Sequence, residues 1–277
     1  MPQLPPEFEL VNPLMRRGRY TAAMFDFDGT LSLIREGWSA IMAQLGIELL
    51  LDQKLILEPD EATRHFVEAE MLKLSGKPSL FQMERLAEIV QLRGGTPGDP
   101  NEYLQEFLRR LFAISDGRKA DLASGRVPPD AWAVPGSREL LATLRNRGAA
   151  LYLASGTDLE YVHAELKLLK LDEFFGQHVY APALNTPNFS KGDVVRMILQ
   201  THSIPGEQLL GFGDGFSETV ETKRVNGTAI GLASHEAGTP GINAMKRTLL
   251  IDLGADAIIP YYSEPDRLVA WLFGGVE

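Results

Sequence analysis

The chain has 277 residues, 44% of them hydrophobic, with a formal charge of −10 and no cysteine. That length and composition bury a sizeable core as one large domain or two modest ones, and exclude disorder over most of the chain. The acidic balance argues against a nucleic-acid or anionic-membrane partner, and the lack of cysteine excludes disulfides, thiolate metal sites and a cysteine nucleophile.

The start, Met1–Glu9, is proline-rich and acidic, a pattern of neither a secretory signal nor a transit peptide. No apolar run approaches the roughly 20 residues that a bilayer span requires, so a cytoplasmic address is expected. The apolar segment 20–26 reads as a strand and ends on Asp26-Phe27-Asp28-Gly29-Thr30. Side chains at alternate strand positions share a side, so the two carboxylates stand together. They repel one another unless a divalent cation lies beside them or one holds a proton. A plain Asp-Gly turn at a strand end is the alternative.

Segments 36–51, 59–74, 80–93 and 101–112 then carry apolar residues every three or four positions and predict helices. Turn signals separate them at Gly76-Lys77-Pro78 and at 94–100, and no strand is expected between Leu33 and Val127. From Val134-Pro135-Gly136 onward, helices at 137–147, 158–170, 191–202, 216–225, 236–253 and 264–273 alternate with strands at 149–154, 177–181, 208–213, 228–232 and 257–259. This alternation predicts an α/β core with a mainly parallel sheet covered on both faces, interrupted after its first strand by an all-α insert.

Ligands gather at the carboxyl ends of parallel strands, so the residues just past each strand end are the candidates for a site. Strand 149–154 runs into Ser155-Gly156-Thr157-Asp158, a hydroxyl and free backbone N–H groups suited to an anion. Thr157 or Asp158 would equally serve as an ordinary helix cap. Strand 208–213 runs into Asp214-Gly215-Phe216-Ser217-Glu218, a second acidic pair that also reads as a turn and an acidic first helical turn. Lys191 comes after Ser190 at a helix start, where the helix dipole disfavours a cation unless it faces an anion or carboxylates.

In chain order these segments resemble the four motifs of the haloacid dehalogenase superfamily: Asp26-x-Asp28-Gly29-Thr30, Ser155, Lys191, and Gly213-Asp214 with Glu218. The insert after the first motif resembles the cap of phosphoglycolate-phosphatase-like and β-phosphoglucomutase-like members. The resemblance implies a Rossmann-like three-layer core from residues 19–32 and 134–277, a helical cap at 33–133, and an N-terminal extension at 1–18. It implies Asp26 as nucleophile, Asp28 as general acid and base, and Lys191 as the charge that neutralises the phosphoryl group. Ser155 and the N–H of Gly156 would hold phosphoryl oxygens. Mg²⁺ would take the carboxylates of Asp26 and Asp214 and the backbone carbonyl of Asp28, with Glu218 orienting its waters or touching it directly. Gly29 and Thr30 would order the loop.

Displacing halide needs no protonated leaving group, so the second aspartate of the first motif argues against dehalogenation. The expected activity is a Mg²⁺-dependent phosphatase acting on a small phosphorylated metabolite through an aspartyl-phosphate. A phosphomutase is the enzymatic alternative. A non-catalytic phosphate-binding or signalling module, such as a response-regulator receiver, is the alternative of another class, although a receiver is shorter and orders its residues differently. Lys77 and Arg35 are the candidate substrate contacts. Substrate identity and oligomeric state are not encoded in these motifs.

Overall fold

Seven strands, β1 (Glu9–Leu10), β2 (Ala22–Phe25), β3 (Ala150–Ala154), β4 (Val179–Tyr180), β5 (Leu209–Gly213), β6 (Thr228–Leu232) and β7 (Ala257–Ile259), form one sheet in the order β1-β7-β6-β5-β2-β3-β4. This is a computed structural model, which describes residues 7–183, 189–235 and 241–274, and the strands and helices named here are those among the described residues. All pairings are parallel except that of β1, which runs antiparallel to β7 with Glu9 opposite Ile258.

The central strands β2, β3 and β5 are apolar and almost wholly buried because both faces are covered. Ala23, Phe25, Leu151, Leu153, Leu210, Phe212, Ile230 and Leu232 point into one apolar layer, whereas Ala22, Met24, Tyr152, Ala154 and Leu209 point into another. Phe25 and Phe212 stack with ring centroids 4.7 Å apart, joining β2 to β5.

Between β2 and β3 the chain forms α1 (Trp38–Asp52), α2 (Glu61–Leu72), α3 (Ser79–Leu92) and α4 (Pro100–Ala123). Their apolar faces make a cluster of their own, including Met42, Val67, Met71, Met83, Leu86, Phe107 and Leu111. Local chemistry sets where these helices start. Asp60 accepts from the N–H of Thr63 ahead of α2, and Asp99 accepts from the N–H of Asn101 ahead of α4, with Pro100 in the first turn. Helix α4 runs well past the predicted 101–112 because its distal half is anchored by tertiary contacts. Arg118 donates to the carbonyls of Leu33, Ile34 and Glu36, lies 4.4 Å from the ring centroid of Trp132, and so ties both linkers of the insert to this helix.

The second half adds α5 (Ser137–Asn146), α6 (Leu159–Leu168), α7 (Asp172–Phe175), α8 (Lys191–His202), α9 (Phe216–Arg224), α10 (Ala244–Asp252) and α11 (Pro265–Leu272). Helices α5, α6 and α11 supply the first apolar layer, and α8 supplies the second through Val194, Val195 and Ile198. The architecture is the α/β, Rossmann-like arrangement with helical insert that the pattern predicts. Of the predicted helix 236–253, residues 236–240 lie outside the described residues; the helix begins after Asn243, which caps the N–H groups of Met245 and Lys246. Strand β1 and the single-turn α7 are not anticipated, being too short for periodicity to register.

From β2 the chain passes to β3 and β4 on one side, then crosses to β5, β6 and β7 on the other. Strands β2 and β5 therefore flank the switch point where open parallel sheets bind ligands.

Candidate active site

Asp26 lies just past β2, and its Oδ1 accepts from Lys191 Nζ at 2.6 Å; the same ammonium donates to Glu218 Oε2 at 2.8 Å. Ser190 accepts from the N–H of Gly192 and starts α8, which turns the Lys191 side chain inward, where it is buried. Burial opposes its charge, but Asp26 and Glu218 outweigh burial and raise its pKa well above the ordinary lysine value. The two carboxylates thereby offset the unfavourable helix dipole at this position. Burial pushes the Asp26 carboxyl up to about 8, with Lys191 pulling down and Glu218 and Asp214 pushing up.

Glu218 also accepts from the N–H of Gly215 at 2.6 Å through Oε1, so it caps its own helix while holding Lys191. The helix passes close beneath β5 because that strand is glycine there: a Cβ on Gly213 would lie 1.9 Å from Glu218 Cγ. Asp214 Oδ2 accepts from Lys246 Nζ at 2.8 Å, the lysine reaching in from α10. Gly29 has φ of +74°, and a Cβ there would lie 2.3 Å from Asp214 Oδ2, so only glycine lets the loop after β2 approach this carboxylate. That loop is further fixed by hydrogen bonds from Gly29 N to Ser32 O and from Tyr262 Oη to the carbonyl of Thr30.

Asp28 faces a different set of partners. Its Oδ2 accepts from Thr157 Oγ1 at 2.8 Å, and Arg35 Nε stands 3.8 Å from its Oδ1. Arg35 is buried and held by Glu165, with Nη2 2.8 Å from Oε1. Asp158 occupies the cap position of α6 without a side-chain capping bond, so the Thr157 hydroxyl serves Asp28 and neither side chain caps the helix. Ser155 is buried, its Oγ accepts from the N–H of Thr157 at 3.1 Å, and with Gly156 it borders the same cavity as Asp26 and Asp28.

The loop between α2 and α3 closes over this site. The carbonyl of Ser75 accepts from the N–H of Phe216 at 3.1 Å. A Cβ on Gly76, whose φ is +80°, would lie 2.9 Å from Glu218 Oε2 and 3.3 Å from Lys191 Nζ. Lys77 Nζ lies 4.8 Å from the ring centroid of Phe216. The cavity measures about 100 Å³; Arg35 and Lys77 line it together with Asp26, Asp28, Ser155 and Asp214.

A metal ion has a natural place here. Carboxylate oxygens of Asp26, Asp214 and Glu218 lie within 4.8 Å of one another, all three residues buried, which suits a hard cation with oxygen ligands. Thr157, Glu165, Lys246 and Ser75 escape the sequence reading. Thr157 offers a signal, since a second hydroxyl two positions after Ser155 reads as a cap; Glu165 and Lys246 offer none, because their partners lie 130 and 32 residues away.

A sequence model of the haloacid dehalogenase-like hydrolases matches residues 20–220, the span that contains all of these groups up to Glu218. The chain belongs to the haloacid dehalogenase-like hydrolase family. It is 26% identical over 216 residues to a 5'-nucleotidase of Pseudomonas aeruginosa, covering 76% of this chain and 81% of the relative. Its fold is shared by a family hydrolase of Deinococcus radiodurans with bound phosphate and sodium (TM-score 0.58, 21% identity, 92% and 97% of the two chains). A predicted phosphoglycolate phosphatase from Haemophilus somnus has the same fold (TM-score 0.56, 16% identity, 88% and 96%). Like other members of this hydrolase family the chain is an enzyme, and among its described residues no helix is long and apolar enough to cross a membrane.

Proposed function

We propose that this hydrolase is a Mg²⁺-dependent phosphatase of the cytoplasm that cleaves the phosphomonoester of a small metabolite through a phosphorylated Asp26. The observation that carries the reading is Lys191, buried and hydrogen-bonded to Asp26 and Glu218, where Asp26 lines a cavity together with Asp28 and Ser155. Residues 19–32 and 134–277 act as the catalytic core, and 33–133 as the cap that covers it.

A carboxylate that attacks a phosphate dianion must overcome Coulomb repulsion, so positive charge has to be concentrated beside it. When bound, the divalent cation supplies part of that charge and draws electron density from the phosphoryl oxygens. The carboxylates of Asp26 and Asp214 and the backbone carbonyl of Asp28 are the groups to hold it. Both Glu218 oxygens are engaged, by Lys191 and by the N–H of Gly215, which favours Glu218 as the residue that orients Lys191 and the surroundings of the ion. Lys246 fixes the orientation of the Asp214 carboxylate through its hydrogen bond to Oδ2.

Asp26 forms a bond to phosphorus while the ester P–O bond breaks, and its electron pair passes to the departing oxygen. Asp28, oriented by Thr157, gives that oxygen its proton. It then takes a proton from water, which attacks phosphorus and returns Asp26 as a free carboxylate. Ser155 and the N–H of Gly156 hold the phosphoryl oxygens and Lys191 neutralises their charge. The loop at 75–77 keeps bulk water away from the site. The 5'-nucleotidase and phosphoglycolate phosphatase names of the relatives mark nucleotides and small phosphorylated acids as substrate classes to try.

The test is phosphate release from a panel of phosphorylated metabolites with Mg²⁺. Asp26→Asn should lower turnover by at least about a thousandfold with an unchanged circular dichroism spectrum. EDTA should abolish activity and lower the melting temperature, and Mg²⁺ should restore both. Isomerised sugar phosphate without free phosphate would identify a mutase, and retained turnover in Asp26→Asn would remove the nucleophile assignment.

A further inference from the structure

The cavity has two ends of opposite character. Asp26, Asp28 and Ser155 form the end that would hold the phosphoryl group. The far wall is built by the insert: Trp38 and Met42 from α1, Phe107 and Leu111 from α4. Met42, Phe107 and Leu111 are buried and belong to the apolar cluster of the insert, while Trp38 packs half-buried against it at the start of α1. Arg35, Ser75, Lys77, Ser79 and Gln82 also line the cavity, and two of these, Ser75 and Gln82, are buried and uncharged. The Oγ of Ser75 is buried without a hydrogen-bond partner, and the buried Gln82 is fixed by Nε2 donating to the carbonyl of Met71 at 3.3 Å.

We propose that the alcohol of the substrate ester carries a planar aromatic ring, which packs against Trp38 and Phe107 and turns a polar edge toward Ser75 and Gln82. This rests on the phosphatase reading above, and it selects among substrates that the reading leaves equal. A ring buries its faces on apolar and aromatic surface at no cost in lost hydrogen bonds. A polyhydroxylated sugar in the same place sets those hydroxyls that face Met42, Phe107 and Leu111 on apolar surface, where they give up water without a partner. A short acid such as glycolate leaves the wall uncovered. Sites of this kind discriminate through the groups they fail to satisfy as much as through those they touch.

The experiment compares esters whose leaving alcohols are similarly basic, so that chemistry is matched and binding differs. These are benzyl phosphate and a purine and a pyrimidine nucleoside 5'-monophosphate, against glucose 6-phosphate, glycerol 3-phosphate and phosphoglycolate, all with Mg²⁺. Expected is a kcat/KM about tenfold or more higher for the ring-bearing esters, expressed mainly in KM. Benzyl phosphate alone among them would indicate a simple aryl group, and the nucleotides alone a base with its ribose; both outcomes keep the ring. Trp38→Leu should shrink the preference at least about fivefold. Phe107→Leu is a second variant of similar volume should the first fail to fold. Equal or higher kcat/KM for the sugar phosphates or phosphoglycolate would overturn the inference, as would an unchanged preference in folded Trp38→Leu. Should no ester turn over, the phosphatase reading falls and the pocket is still decided by tryptophan fluorescence. Quenching by benzyl phosphate but not glycerol 3-phosphate, lost in Trp38→Leu, supports the ring site; equal or absent quenching removes it.

Discussion

Asp26 and Asp28 leave the same strand end yet meet different surroundings: Lys191 at 2.6 Å for the first, and Thr157 at 2.8 Å with Arg35 at 3.8 Å for the second. Environment, rather than residue type, is what separates two carboxylates into two roles. Thr157 is the sharpest test of the second role, since its hydroxyl fixes the oxygen that would carry the proton. Thr157→Val should lower kcat by about ten- to hundredfold, with KM within about twofold, because the lost bond leaves a poorly oriented acid while phosphate binding persists. Thr157→Ser should recover most of the rate. Steady-state kinetics with any turned-over ester measure this, and an unchanged kcat in the valine variant would show that the hydroxyl does not orient the acid. At this scale much was legible in the sequence: the two aspartates, Ser155, Lys191, Asp214 and Glu218 all border or approach one site, because each sits beside a strand or helix end that local pattern reveals. Lys246 and Glu165 were not, since nothing near either residue signals a partner on a distant element.

Among the elements, the turn between α2 and α3 has the largest consequence for chemistry. Its sequence, Ser75-Gly76-Lys77-Pro78, reads as a break between helices that carries Lys77 as a candidate substrate contact, and the turn bonds to Phe216 and lies close to Glu218 and Lys191. Gly76 combines φ of +80° with a gap too small for a methyl group beside Glu218 Oε2 and Lys191 Nζ. Gly76→Ala should therefore strain the turn by about 1–2 kcal/mol and lift the loop from the site. The expected result is a kcat/KM at least about tenfold lower with a melting temperature only a few degrees below wild type. If kcat/KM is unaffected, closure of this loop has no part in turnover. Helix α4 shows the same dependence on distant contacts, in that its predicted end falls where apolar spacing fades, while Arg118 and Trp132 carry the helix onward.

For the whole molecule, β1 brings the start of the chain to β7 near its end, and Glu9 reinforces that closure by accepting from Arg247 Nε at 2.6 Å. The hydrogen bond from Arg247 holds the Glu9 carboxyl below its ordinary pKa. A carboxyl whose pKa is lower folded than unfolded adds stability above the unfolded value and loses it as pH falls through the folded one. The pair is partly exposed, so solvent screening keeps its contribution small. Glu9→Gln should lower the melting temperature at pH 7 by no more than about 2–4 °C, the gap narrowing as pH falls below about 4. Thermal melts across pH decide it, and a gap that persists undiminished at low pH would assign the effect to packing. Alternating apolar runs, helix caps and charged residues at strand ends are local properties, which is why the amino-acid order alone establishes the α/β class, the helical insert and the chemical groups available to catalysis. Which groups become neighbours depends on strand order. Packing in three dimensions set β2 between β3 and β5, laid the 75–77 loop on the core, and joined a polar end at Asp26, Asp28 and Ser155 to an apolar wall, because those contacts link segments far apart in the chain that no periodicity connects.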